Sequence, residues 1–424
     1  MPFIEDKRYT DGMHDQSIPH YVGIDIGTST VRCIIGVLDP HDTSRFSIIG
    51  YGAAPNVGMR RGVVVYADDV SEAIIQAITE AERLAGVRIH QATVNINGSH
   101  ISGMNSKGVI AISTANREIT TEDRLRVEEA ATIVQLPPNR EIVQVFAKNY
   151  RLDGQDNIKD PVGMRGVRLE VETHIVTAAS PSLRNLDTAL QKAEVIPNRH
   201  TLSGLAAVET VLNRQQKESG TILLDIGAGT TNIVVIEDGE IQHVAVIPMG
   251  GIHITNDLAI GLKVDLDIAE LVKINHAHIG AEPKKDKISV DYNKKTYHFN
   301  ASDVVMISEA RVEELLDYVA KELHRIQRWR KLPGGVVLVG GSAKLPGLPD
   351  FVSDKLELAA RVGEPQMMTG LIEKVTDPAA FTAVGLALLD MLLLPIEDNN
   401  RHSVKNMNTK IFTSLSDLWR SFRR

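Results

Sequence analysis

Two short stretches carry residue types that could hold a phosphate chain and a hydrated cation. Residues 221–236, TILLDIGAGTTNIVVI, end an apolar run in Asp225, pass through Gly227, Ala228 and Gly229, and reach Thr230, Thr231 and Asn232 before apolar residues resume. Residues 21–37, YVGIDIGTSTVRCIIGV, repeat that grammar with Asp25, then Gly27, Thr28, Ser29 and Thr30. Each stretch reads as two strands joined by a tight glycine turn. Glycine there allows positive φ and lets backbone N–H groups approach an anion closely. A carboxylate at the end of a strand suits a hydrated Mg²⁺ beside phosphates. Either stretch alone is equally an ordinary hairpin with a type I′ or II′ turn. Asp-Ile-Gly twice, about 200 residues apart and each time followed by hydroxyl side chains, implies two similar halves closing on one phosphate chain.

Two weaker candidates accompany them. In residues 267–276, DIAELVKINH, helical spacing sets Glu270 and Lys273 one turn apart on one face, which is also how a surface ion pair looks. Residues 336–349, VVLVGGSAKLPGLP, read as a buried strand, a loop with Gly340, Gly341 and Ser342, and a helix start. A glycine pair after an apolar strand suits close backbone approach to a flat ligand or a phosphate. Arg60 and Arg61 read as a solvated turn.

The elements that must position these residues follow from pattern and composition. At 424 residues the chain exceeds one typical core, so two or more lobes are expected. Apolar content of 43% and charged content of 24% are those of a soluble globular protein. A formal net charge of −8 argues against nucleic acid as a partner. The single cysteine, Cys33, excludes a disulfide framework and a cysteine-rich metal site, and suggests a reducing compartment. Residues 1–20 are polar and mixed in charge, without a secretory signal, and read as a disordered arm.

Residues 46–52 read as a strand, and a helix capped at 67–69 carries an apolar stripe from Val70 to Leu84 and ends at Gly86. From 92 to 178, alternating runs surround a charged helix over 121–135 that starts at Thr120 and stops before Pro137. This segment has no concentration of His, Cys or paired carboxylates, so contacts rather than chemistry are assigned to it. A helix over 181–193 leads to a strand at 194–196. Residues 201–213 form a small-residue helix suited to a tight hinge crossing, and a further helix covers 252–261. Residues 281–300 are lysine-rich and turn-like, and a long helix spans 301–330. Residues 379–394 are short for a membrane span, carry Asp390 and stop at Pro395, and are expected to be a buried helix capped by Asp377 and Pro378.

In order, DIGTST, SGLAAVETVL, DIGAGTTN, AELVK, VGGSAKLPGL and DPAAFTAVGLALL resemble the phosphate, connecting and adenosine elements of the actin/Hsp70/sugar-kinase superfamily. Within it, the inserted segment of roughly 85 residues, with Asp160-Pro161-Val162-Gly163 followed by Gly166-Val167-Arg168-Leu169, is similar to that of the bacterial cell-division FtsA family. The resemblance implies an α/β, actin-like (ribonuclease H-like) two-lobed fold with an inserted α+β subdomain. Lobe I would comprise 21–91 and 179–213, with the insert at 92–178. Lobe II would comprise 214–256 and 331–394, with a further subdomain at 257–330.

Residues 409–424 agree independently. Ile411, Phe412, Leu415, Leu418, Trp419 and Phe422 form one helical stripe, with Lys410, Arg420, Arg423 and Arg424 on or beside the other face. Behind a polar linker at 395–408, this reads as an amphipathic anchor on an anionic membrane surface; the alternative is a helix docked on the body.

By resemblance, Asp25 and Asp225 orient Mg²⁺ through water, and Gly27–Thr30 and Gly227–Thr230 donate to the phosphates of ATP. Arg32 stands where actin has a phosphate-binding lysine, Glu270 and Lys273 contact the nucleoside, and Gly340, Gly341 and Ser342 pack on adenine. One departure bears on catalysis: Ser203 occupies the place of the Gln or Glu that positions the attacking water, and Glu209 points elsewhere, which implies weak or absent hydrolysis. The resemblance further implies self-assembly, capture of the FtsZ C-terminal peptide by 257–330, recruitment of later division proteins, and a peripheral location on the cytoplasmic face of the cell membrane at the septum. Two rival readings are a small-molecule kinase of the same superfamily and an actin-like platform of a pilus or secretion machine.

Overall fold

The computed structural model describes residues 19–39, 45–113, 116–280, 286–366, 368–371 and 375–393. Residues 1–18 and 394–424, which include the expected linker at 395–408 and amphipathic helix at 409–424, lie outside them.

The first hairpin, β1 (His20–Ile26) and β2 (Thr30–Leu38), is antiparallel with Asp25 opposite Arg32, and β3 (Phe46–Pro55) adds to its outer edge. The short ladder β4 (Met59–Arg60) with β5 (Val63–Val64) leads to α1 (Ala67–Ala85). This helix buries Val70, Ala73, Ile74, Ala77, Ile78 and Ala81 and stops where Gly86 takes the left-handed conformation. No side chain caps its start, against the expectation at 67–69. β6 (Gln91–Ile96) then pairs with β1 in parallel.

The inserted segment comprises β7 (Ser102–Ala111), α2 (Thr121–Ala131), β8 (Arg140–Leu152), β9 (Gln155–Ile158) and β10 (Arg168–Ala179), with sheet order β7-β10-β8-β9. A capping box between Thr120 and Asp123 starts α2. The helix ends at Ala131, short of the expected 135. Its Val127, Ala131 and their neighbours close a small separate core against Leu169, Val171 and Tyr150.

Next come α3 (Ser180–Lys192), β11 (Ile196–Leu202), α4 (Ser203–Val211) and α5 (Arg214–Ser219). The strand expected at 194–196 starts two residues later, because Glu194 sits at positive φ and turns the chain out of α3.

The second hairpin, β12 (Thr221–Ile226) and β13 (Thr231–Glu237), is followed by β14 (Glu240–Ile247), α6 (Gly251–Leu262) and α7 (Leu266–His276). The segment expected to be turn-like is a hairpin, β15 (Lys287–Tyr292) with β16 (Lys295–Asn300). Its apolar residues alternate with polar ones, and Asn293 and Lys294 supply the two positive-φ turn positions. α8 (Ala301–Arg325) ends before 330, with Gln327 and Arg330 at positive φ. β17 (Val336–Val339), a short 3₁₀ turn at Gly341–Lys344, α9 (Leu348–Leu356), β18 (Ala360–Val362), β19 (Met368–Gly370) and α10 (Phe381–Leu393) complete the described chain.

The sequence repeat is a structural repeat. The sheet β11-β6-β1-β2-β3-β19 and the sheet β14-β13-β12-β17-β18 each present an antiparallel hairpin flanked by a parallel strand on the side of the Asp. Helices α4 and α10 cross between them. A Cβ on Gly385 of α10 would stand 1.7 Å from the Ala206 carbonyl oxygen of α4, so only glycine permits this approach. Asp390 of α10 is buried and accepts from Val22 N, Thr93 Oγ1 and Asn198 Nδ2, which explains a carboxylate in an apolar helix. Among the described residues, no helix is long and apolar enough to cross a membrane.

Candidate functional site

A cleft of about 500 Å³ lies between the two hairpins. Asp25 and Asp225 end β1 and β12 at its floor, both nearly buried. Burial pushes the Asp25 carboxyl up to about 7, eased by the Arg32 guanidinium and reinforced by Asp225. Asp225 is raised by burial and eased by the Asn232 amide and Arg32. Arg32 lines the cleft and makes no hydrogen bond or ion pair among the described residues, so its charge is available to an anion.

Gly27, Thr28, Ser29 and Thr30 line one wall, and Gly227, Ala228 and Thr230 the other. The expected reason for the glycines is corrected here: none of Gly27, Gly227 and Gly229 has positive φ. Close approach demands Gly27 and Gly229 instead. A Cβ on Gly27 would meet the Thr30 carbonyl oxygen at 2.7 Å, and one on Gly229 would meet Thr28 at 2.8 Å. Gly229 therefore packs loop against loop and does not line the cleft. Thr231 is also absent from the lining: as the first residue of β13 it turns into lobe II and donates its hydroxyl to the Met249 carbonyl at 2.9 Å. These two are corrections to the expected phosphate set.

Glu270 and Lys273 line the cleft and are also an ion pair at 2.6 Å, so the two readings of them hold together. Lys273 Nζ additionally donates to Thr255 Oγ1 at 2.8 Å and to the Gly251 carbonyl at 3.3 Å, which pins α7 to the start of α6. Gly340, Gly341 and Ser342 reach the same cleft from the end of β17. Gly340 has φ +85°, and a Cβ there would press on Asp225 Oδ1 at 2.6 Å. Ser203 starts α4 at the cleft, whereas Glu209 faces away and pairs with buried Lys217 at 2.9 Å.

Three residues at or behind the cleft lining escaped sequence reasoning. Asn97 reaches from the end of β6 and donates to Thr230 Oγ1 at 3.0 Å, joining the two halves at the cleft mouth. Lys344 lines the cleft while bonded to Asp377 at 2.9 Å. Asn95 stands behind Asp25 and donates to its Oδ1 at 2.7 Å. Only the polar residues in the otherwise apolar strand TVNIN hinted at the two asparagines.

The donor set fits a hydrated divalent cation beside phosphates. Each Asp has one oxygen held by an Asn amide, and the other has no hydrogen-bond partner among the described residues. Among those residues, no group of three or more His, Cys, Asp or Glu could cage a metal directly. A cation between Asp25 and Asp225 therefore needs water and ligand oxygens to complete its shell.

Sequence comparison matches residues 222–385 to the family profile described as "Cell division protein FtsA" and residues 98–177 to "SHS2 domain inserted in FTSA". The cell division protein FtsA of Bacillus subtilis (strain 168) is 38% identical over 370 residues, covering 86% of this chain and 82% of its own length. Among solved structures, the PilM-PilN type IV pilus biogenesis complex matches with TM-score 0.61 at 17% identity over 87% of this chain and 98% of that one. MreB5 of Spiroplasma citri bound to ADP matches with TM-score 0.53 at 10% identity over 88% of this chain and 96% of that one. At such identities these two similarities concern the fold, which is actin-like.

Proposed function

The chain belongs to the cell division protein FtsA family, and from that premise we propose that it is an ATP-binding, self-associating adaptor that tethers the FtsZ ring to the cytoplasmic face of the cell membrane at the septum. One observation carries the reading: two recurrent Asp-Ile-Gly loops converge on one cleft whose Arg32 makes no hydrogen bond or ion pair among the described residues. ATP would lie with its phosphates between the loop at Gly27–Thr30 and the loop residues Gly227, Ala228 and Thr230. Arg32 would face that charge, and Gly340–Ser342 the adenine. Mg²⁺, held through water by Asp25 and Asp225, would neutralise charge on the phosphates. The Ser203 hydroxyl, which accepts from Asn95 Nδ2 at 3.0 Å and donates to the Ile96 carbonyl at 3.4 Å, cannot take a proton as a carboxylate can. The chain's residues thus favour holding the nucleotide over hydrolysing it, so ATP acts mainly by closing the halves and favouring assembly.

The remaining assignments rest on family membership and the tail sequence. Residues 257–330 would receive the FtsZ C-terminal peptide, and the inserted segment would serve filament contacts and later division proteins. Residues 409–424 would lie on anionic lipid. Lipid co-sedimentation of the full chain and of a chain ending at Leu394, each with and without ATP and Mg²⁺, tests the reading. Pelleting that needs the tail and rises with ATP is expected. Equal pelleting of the truncated chain would remove the anchor, and absence of pelleting in both would favour a soluble nucleotide-binding protein.

A further inference from the structure

Asn95 is 2% exposed and uses its whole amide on the chain around it. Its carbonyl oxygen accepts from Ile26 N at 2.7 Å. Because that backbone group can only donate, the amide orientation is settled and Nδ2 must face the other way. Nδ2 donates to Asp25 Oδ1 at 2.7 Å and to Ser203 Oγ at 3.0 Å. Both N–H groups are therefore committed, and none remains for a ligand.

The other half solves the same problem differently. Asn232, 4% exposed, lies directly opposite Asp225 in the β12–β13 ladder and donates to Asp225 Oδ2 at 2.9 Å. The residue opposite Asp25 in the equivalent β1–β2 ladder is Arg32, which turns to the cleft. The first hairpin cannot supply an amide from within itself. The neighbouring parallel strand β6, which sets Val94 beside Ile24, supplies it instead. On the side of Asp225 away from its own hairpin stand Val339 and Gly340, with no polar side chain. Each carboxylate is thus held through one oxygen by one asparagine, from opposite flanks in the two halves.

We propose that Asn95 is a positioning residue that orients Asp25 toward a hydrated divalent cation and ties that orientation to Ser203 at the start of α4. The inference rests on the reading of the cleft as an ATP and Mg²⁺ site. A carboxylate turns freely about its terminal bond unless one oxygen is fixed. Asn95 fixes it, through an amide itself anchored on the backbone of Ile26. The same amide joins the end of β1 to the helix that crosses between the lobes, so displacement of Asp25 and of α4 are linked.

The test compares binding of a fluorescent ATP analogue in EDTA and in Mg²⁺ for the parent chain, Asn95→Leu and Asn95→Ser, with thermal melting as the check on folding. Affinity in EDTA is expected to stay within about twofold of the parent, and the gain on adding Mg²⁺ to fall about ten- to a hundredfold, the usual cost of removing a partner that orients a metal-binding group. A folded variant that keeps the parent's Mg²⁺ gain, or that loses affinity equally with and without Mg²⁺, overturns the proposal while leaving the nucleotide site intact. A parent chain that binds the analogue no better with Mg²⁺ overturns the Mg²⁺ reading beneath it. Should Asn95→Leu fail to fold, Asn95→Ser gives the same comparison with a smaller perturbation.

Discussion

His174 shows how one side chain of the inserted segment is bound to the second lobe. Its Nε2 accepts from Val244 N at 3.0 Å and its Nδ1–H donates to Asn105 Oδ1 at 2.7 Å, an arrangement only the neutral ring can make. Burial, with His243 at 5.3 Å between ring centroids and the cations of Lys148 and Arg325 nearby, lowers it from 6.5 to about 3. Glu322 faces His243 rather than His174, at 2.8 Å. A depressed pKa contributes stability above the ordinary histidine value that is lost as pH falls toward the folded one. Between pH 7.5 and pH 5 this group alone should cost about 2 kcal/mol. Urea denaturation of the parent and of His174→Gln at both pH values measures it. The variant should lose less stability than the parent by roughly that amount, and an equal loss would absolve His174.

Among the elements, two close contacts set sharp tolerances. The Thr120 hydroxyl accepts from Asp123 N at 3.1 Å and the Asp123 carboxylate accepts from Thr120 N at 3.0 Å, closing the start of α2. Thr120→Ala should cost about 1 kcal/mol, read in urea denaturation, and should perturb the inserted segment rather than the cleft. At the α4–α10 crossing, Gly385→Val has no space against Ala206 and should cost more than about 3 kcal/mol, the range in which forced overpacking becomes exceptional. Loss of less than about 1 kcal/mol in the same assay would mean the helices separate easily. The crossing also shows what was legible: SGLAAVETV announced close helix packing by its small residues, and AVGLALL announced a buried helix. The β15–β16 hairpin was missed: Ile288, Val290 and Tyr292 alternate with polar residues, but the lysines obscured the pattern.

For the whole molecule, the proposed anchor and nucleotide cleft would let assembly and membrane attachment reinforce one another. Partial burial of six apolar side chains yields on the order of several kcal/mol, less than the ~1.5–3 kcal/mol each gives when fully buried. Each basic residue near anionic lipid adds about 1 kcal/mol, and ordering the tail opposes both. A single copy should bind reversibly, whereas linked copies gain avidity without any new contact. A variant that no longer self-associates should therefore pellet with liposomes far less than the parent at equal concentration. Equal pelleting would separate attachment from assembly.

Local order along the chain was enough to announce the two halves, because an apolar strand ending in Asp and passing into glycine and hydroxyl residues is a complete signal within a few positions. It also announced Glu270, Lys273 and the Gly340–Gly341 turn as members of one set, since their order along the chain matched a known arrangement. Three-dimensional packing alone decided the rest. Gly229 and Thr231 left the cleft because strand alternation and loop-on-loop contact turned them inward, which no linear spacing displays. Asn95 entered the site because a parallel strand 70 residues distant was laid against β1. Asn97 reached Thr230 across 133 residues because the cleft brings the ends of the two sheets together. A carboxylate's position along the chain is written locally; the partner that holds it is chosen by whichever strand the sheet places beside it.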